Sequence, residues 1–274
     1  LMYKGIVRYR MGITDSTAYI PLKEAVEIFN KSTFSEYSNK YFCYYYLGLI
    51  HYENNNLLNS ITYYEKAIEN AKLYGNKNYL LDIYFQITWS YLRMSKFDSA
   101  KRYIDALNNF KDLSPLQQAS INQILSVYYE YTKEPSKSLE INKKLLRSGN
   151  SFDDYSKMLF KIADNYKELN QLDSALYYAE KAESCISDTN SELNFLYYKN
   201  IGEISEKLKL WQKSSSAYKK AYQLKEKAIT KELDKQILSI EKKYDLTQAE
   251  NKALYLRSRL IFTGLVGLIL IILL

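Results

Sequence analysis

Tyr41–Ala71 reads YFCYYYLGLIHYENNNLLNSITYYEKAIENA, and the spacing of its small residues decides the fold. Gly48 and Ser60 stand twelve residues apart, each flanked by bulk at helical intervals. Leu47 and His51 share one face of a first helix, and Tyr64 and Ala67 share one face of a second. Two antiparallel helices approach closely only where side chains nearly vanish, so one small residue on each helix marks their crossing. The stretch predicts a helical hairpin.

The same arrangement recurs along the chain. Small residues near Ala25, Ser60, Ala100, Ser138, Ala175 and Ser214 follow one another at intervals of 35, 40, 38, 37 and 39. Twelve residues before the last five stand Gly48, Thr88, Ser126, Ala163 and Gly202. A constant offset inside a variable period predicts a rigid two-helix unit joined to the next by a connection of changing length. Four and seven residues after each second anchor, the positions are apolar, aromatic or small, Asn142 being the misfit. Pro21 is expected to open a helix, Ser114-Pro115 to form an N-cap and first helical residue, and Pro135 to sit in a turn. KFDSA (96–100) and QLDSA (171–175) put an aspartate at the start of a second helix, where orphan amides favour it.

Composition narrows the function classes. The 274 residues include only 8 Gly and 3 Pro, which disfavours β-sandwiches and glycine-looped nucleotide folds. One His and two distant Cys, Cys43 and Cys185, cannot make a multi-histidine or paired-cysteine metal site. Glycine-rich phosphate loops, HExxH and GxSxG are absent, and carboxylates are scattered among lysines as on a solvated helix face. His51 falls on a packing stripe. No catalytic, cofactor-binding or metal-ligating residue is assigned. Lys219–Arg259 carries 11 basic and 6 acidic residues, most of the net charge of +7, and the remainder is too nearly neutral for a nucleic-acid face.

Tyr44 to Gly48 with Ser60, Tyr64 and Ala67 resembles the tetratricopeptide repeat (TPR), as do Tyr198, Ile201-Gly202, Trp211, Ser214, Tyr218 and Ala221. The unit around Ser126 and Ser138 is degenerate, and the first, around Gly5 and Ala25, carries the insertion MGITDSTA. The resemblance implies an all-α, TPR-like α-solenoid of about six helical hairpins: a degenerate first hairpin over 1–40 and five repeats over 41–228. Such a solenoid has a concave face lined by first helices, where a protein or peptide partner binds. Phe42, Tyr45, Leu49, Tyr52, Phe85, Trp89, Arg93 and Tyr131 are the expected groove residues, exposed aromatics with an arginine being the composition of an interface hot spot. Compositional habit is the alternative in a chain with 29 Tyr. Toward Glu203 and Lys207 the groove becomes charged.

From Ala221 a polar stretch without Gly or Pro predicts one long helix. Within it, 229–257 reads as a stalk in which Leu233, Ile237, Ile240 and Tyr244 keep a 4-3-4 seam. Either two copies pair through it or the stripe packs on the last repeat. LIFTGLVGLILIILL (260–274) is apolar but rises only roughly 22 Å as a helix, so 258–274 is expected to be a transmembrane helix cut short. Repeats, basic stalk and span in this order resemble bacterial membrane-anchored TPR regulators. That resemblance implies the sensory part of a single-pass inner-membrane protein, repeats periplasmic, with an output domain beyond residue 274. Lys252, Arg257 and Arg259 favour the opposite orientation. A tail-anchored cytoplasmic adaptor and the sensory half of a histidine kinase stay open beside it.

Overall fold

Six turns of one geometry punctuate the chain. Each falls seven residues after the small residue of a first helix, at Gly12, Asn55, Ser95, Lys133, Asn170 and Lys209, where the backbone turns left-handed with φ between 55 and 78°. Asn55 N donates to Tyr52 O (3.0 Å) and Asn56 N to His51 O (2.8 Å), and the other five turns repeat this pair of bonds. The two bonds satisfy the last carbonyls of the first helix and stop it. In five of the six, the second helix begins two residues later. This turn is why the offset of twelve never varies among them.

Left-handed backbone strains a side-chain-bearing residue by about 1–2 kcal/mol, part of which glycine returns through its freer unfolded chain. Ser95→Gly and Lys133→Gly are therefore expected to raise stability by about 0.5–1 kcal/mol each. Gly12→Ala should lower it. The urea midpoint of unfolding measures all three.

The computed structural model describes residues 1–31, 39–73, 77–149, 155–186 and 191–273. Among them are twelve helices: α1 (Met2–Arg10), α2 (Ser16–Lys31), α3 (Lys40–Glu53), α4 (Leu57–Leu73), α5 (Lys77–Arg93), α6 (Phe97–Asn108), α7 (Pro115–Tyr131), α8 (Pro135–Ser148), α9 (Tyr155–Glu168), α10 (Leu172–Glu183), α11 (Ser191–Lys207) and α12 (Trp211–Leu273). They form two units, Leu1–Cys185 and Ile186–Leu274. In the first, helices pair as five hairpins, α1/α2 through α9/α10, and each second helix up to α8 also packs on the first helix that follows. The first helices α1, α3, α5 and α7 touch in sequence. The second unit is the hairpin α11/α12.

Small residues sit at the crossings, as their spacing requires. Ser60, Thr88, Ala100, Ser126, Ser138, Ala163 and Ala175 are fully buried, and Ser214 nearly so. Across the crossings, Ser126 Oγ meets Ser138 Oγ at 3.1 Å and Ser214 Oγ donates to Gly202 O at 3.1 Å. Leu47, Ile87, Ile162 and Ile201 fill the flanks, whereas Leu125 is only half-buried and Ile121 and Ile124 take over in α7.

Two expectations about the first hairpin need correction. A methyl on Gly5 would stand 2.9 Å from Ala18 O, so the crossing lies at Ala18 and not at Ala25. Ala25, seven residues on, takes the place that Ala67 takes in the next hairpin. Nor does Pro21 open the helix. Asp15 does, its Oδ1 accepting from Thr17 N at 2.8 Å and from Thr17 Oγ1 at 2.6 Å, while Pro21 lies inside α2. The carbonyl that proline leaves without its helical donor is that of Thr17. Arg8 Nη1 donates to it at 2.6 Å, tying α1 to α2. Ser114 behaves as expected, exchanging hydrogen bonds with Gln117 in a capping box ahead of Pro115.

Asn142 also ceases to be a misfit. Fully buried, its Oδ1 accepts from Ser126 Oγ (2.7 Å), and its Nδ2 donates to Ser138 Oγ (3.2 Å) and to Asn165 Oδ1 (3.0 Å). Ser138 Oγ lies between Asn165 Oδ1 (3.2 Å) and Glu130 Oε1 (3.3 Å). Burial holds the Glu130 carboxyl above the usual range, opposed by Lys161 and by hydrogen bonds from Asn142 and Ser138. A polar network thus joins α7, α8 and α9, centred on a position where the other hairpins carry Tyr64, Ile104, Ala179 and Tyr218.

In the second unit, α12 continues for 63 residues. Its seam does not pack on the last hairpin: Leu233 and Ile237 are just over half exposed, Ile240 and Tyr244 about two-thirds. Among the described residues no helix is long and apolar enough to cross a membrane. The expected span at 258–274 is not borne out there. Its side chains from residue 265 onward lie outside the described residues.

Candidate functional site

Three first helices of the Leu1–Cys185 unit build one groove. Their second helices pack behind them, which leaves one face of α3, α5 and α7 for something else. Tyr45 of α3, Leu81, Asp82, Phe85, Gln86 and Trp89 of α5, and Leu116, Gln117, Ser120 and Ile124 of α7 line a cavity of about 290 Å³. Helical periodicity supplies the wall: Leu81, Phe85 and Trp89 succeed one another at intervals of four on α5. Ile124 forms a buried floor, and Tyr45, Phe85 and Trp89 are half-buried.

Tyr45 anchors one side. Its ring leans on Tyr46 (5.5 Å between centroids) and Tyr64 (6.1 Å), and its hydroxyl is hydrogen-bonded to Gln86 with Asp82 nearby. Burial raises its pKa well above that of an ordinary tyrosine. Loss of solvation also pushes the Asp82 carboxyl up, although the residue as a whole is exposed.

Of the eight residues expected in the groove, the structure brings Tyr45, Phe85 and Trp89 together. Phe42 stands at its end, stacked on Tyr41 (4.5 Å) and edge-on to Tyr79 (4.6 Å), two rings beside a small recess shared by Tyr45 and Asp82. Leu49 is core, 8% exposed, because α3 is covered on that side as well. Tyr52 and Arg93 are occupied with each other: the guanidinium lies 4.7 Å from the ring, and Nη2 donates to Asn55 Oδ1 at 2.9 Å. Their job is to clasp α5 to the α3/α4 turn. Tyr131 stacks on Phe97 at 6.0 Å, away from the cavity.

Sequence reading missed Leu81, Asp82, Gln86 and the four residues of α7. Extending the Phe85, Trp89 interval back by four would have found Leu81. Nothing comparable marked Leu116 to Ile124, which belong to the hairpin whose repeat pattern is weakest.

His51 acts as filler, its ring stacked on Tyr63 (5.1 Å) and edge-on to Tyr19 (5.5 Å). Burial, then Lys23, lowers its pKa. Among the described residues no group of His, Cys, Asp and Glu is placed to hold a metal ion.

Neither a protein-family model nor a curated protein matches the sequence. Solved structures of TPR-like helical repeat proteins do resemble the fold. The apo form of RapI superposes with a TM-score of 0.63 at 14% identity, covering 82% of this chain and 62% of RapI. BtubC from P. vanneervenii gives 0.60 at 13% identity, covering 77% and 90%, and PilF of Pseudomonas aeruginosa gives 0.57 at 13%, covering 79% and 86%. At such identities the likeness supports a TPR-type fold and nothing finer.

Proposed function

We propose that this chain is a non-catalytic scaffold that binds a peptide segment of a protein partner between α3, α5 and α7. The observation that carries this reading is the convergence of Tyr45, Phe85 and Trp89, from two different hairpins, on one cavity that keeps part of each ring exposed. Large rigid aromatics bring much contact area at little entropic cost, and the polar side chains among them orient a ligand. Peptides selected from a random twelve-residue display library by the purified chain are expected to lose at least tenfold in affinity with Trp89→Ala. Tyr131→Ala should leave them unchanged. Peptides indifferent to Trp89 overturn the reading.

A finer part of the proposal rests on the order of repeats, basic stretch and apolar run in the sequence: the chain as the sensory part of a single-pass bacterial inner-membrane regulator. Residues 258–274 would be the anchor, the repeats periplasmic, and α12 the stalk through which two copies pair. What favours pairing is that Leu233, Ile237, Ile240 and Tyr244 lie along one helix and are covered by nothing in their own unit. Apolar stripes of this period gain by burying against a second copy. In a Cys185→Ser background, Ile240→Cys is expected to form a disulfide-linked dimer under mild oxidation. A chain that stays monomeric under those conditions sinks the stalk pairing.

A further inference from the structure

We infer that the α3/α5/α7 groove receives the basic side chain of its partner peptide, an arginine or lysine, with the carboxylate of Asp82 as counter-charge and the rings of Tyr45, Phe85 and Trp89 as its walls. The inference rests on the peptide-binding reading above and names the chemistry of the ligand.

Three features of the groove point to a cation. Asp82 is the one ionised group among the ten lining residues, and none of the ten is basic. Although Asp82 is exposed as a residue, the rings beside its carboxylate take away part of its hydration, for which an incoming cation compensates. The raised pKa of Asp82, caused by desolvation alone, reports that loss.

The rings give the second feature. Elsewhere this chain places cations over its tyrosines: Arg93 over Tyr52 (4.7 Å), Lys143 over Tyr166 (4.8 Å), Lys220 over Tyr198 (4.8 Å) and Lys137 over Tyr129 (5.1 Å). Among the described residues no Lys or Arg stands over Tyr45, Phe85 or Trp89. The indole of Trp89 offers the strongest of these attractive faces, and it is left for an outside cation.

Third, Gln86 and Ser120 supply neutral oxygens around the cavity, acceptors for the remaining N–H groups of a guanidinium or ammonium. Apolar Leu81 and Leu116 suit the aliphatic stem of such a side chain. An acidic ligand would be repelled by Asp82 and find no basic partner in the lining.

The test uses peptides recovered from the random library. Selected sequences are expected to share one Arg or Lys, and changing it to Met should weaken binding at least tenfold on the wild type. On Asp82→Asn the same change should cost no more than about twofold, because the counter-charge is already gone. Ser120→Arg, which places a cation in the groove without emptying the core, should block binding. Peptides that need Trp89 but are indifferent to their basic residue overturn the cation inference and leave peptide binding standing. Peptides indifferent to Trp89, or none recovered at all, overturn both.

Discussion

Gly48→Ala is expected to cost about 2 kcal/mol of stability, although alanine is the better helix former by nearly 1 kcal/mol. The added methyl would stand 2.5 and 2.6 Å from two carbons of the Tyr64 ring. That ring cannot give way, because Tyr64 is fully buried, held between Gly48 and the ring of Tyr45 on α3 and its own helix α4. The two helices must separate, or the ring must leave its pocket. For a unit of this size the loss corresponds to a fall of roughly 4–8 °C in the melting midpoint. Gly202→Ala provides the comparison. Its methyl would meet Tyr218 at 2.8 Å, but Tyr218 is 36% exposed, its hydroxyl bonded to Glu206 at the surface, so the ring can swing outward. We expect Gly202→Ala to lie within about 0.5 kcal/mol of the wild type, the gain in helix propensity offsetting the crowding. Calorimetry on both variants checks the contrast. Equal losses would show that the ring's freedom does not decide the outcome.

The second large effect runs against the repeat pattern. At the position of Asn142 the other hairpins carry Tyr64, Ile104, Ala179 and Tyr218, so Asn142→Leu looks like an improvement. We expect it to cost about 2–4 kcal/mol. Leucine removes the acceptor of Ser126 Oγ and the donor to Asn165 Oδ1, inside a region where all three residues are buried. Ser126 and Asn165 keep Ser138 beside them (3.1 and 3.2 Å), but the two hydroxyl protons must then serve Asn165 Oδ1 and the Glu130 carboxylate without the amide donors of Asn142. Such a shortfall of buried hydrogen bonds costs about 1–3 kcal/mol. Replacing the network together, with Ser126→Ala, Glu130→Met, Ser138→Ala, Asn142→Leu and Asn165→Met, should recover at least half of that loss, since the carboxylate that the serines and asparagine serve is removed with them. Chemical denaturation of the two variants measures the difference. If the single substitution is neutral, the network contributes nothing to stability.

These two sites show how far the chain can be read without its structure. The hairpin follows from local rules, because a small residue, its bulky neighbours and the offset to the next helix all lie within about twenty residues. Hence Gly48 with Ser60 and Gly202 with Ser214 could be paired from spacing. Ala18 could not be told from Ala25, because the inserted turn shifts the offset by one and both residues recur on the same helical face. The left-handed turns escaped for a related reason. Gly12 is a conventional signal for such a turn, whereas Ser95, Lys133 and Lys209 are not, and the surrounding hydrogen bonds hold them there regardless.

The groove was legible only in part. Tyr45, Phe85 and Trp89 were visible as aromatics on the free face of a first helix, a property of each helix by itself. Whether such a ring lines a cavity depends on the neighbouring hairpin, which buries Leu49, occupies Arg93 with Tyr52, and brings Leu116, Gln117 and Ser120 of α7 opposite α5.

Periodicity and the placement of small residues were therefore enough to determine an all-helical chain of hairpins, since both act within one hairpin's length. The order of packing between hairpins set everything else: which aromatic became core and which became wall, why asparagine stands where leucine was expected, and where one carboxylate came to face three rings. Contacts between distant segments carry no fixed interval along the chain, and only the folded arrangement assigns them.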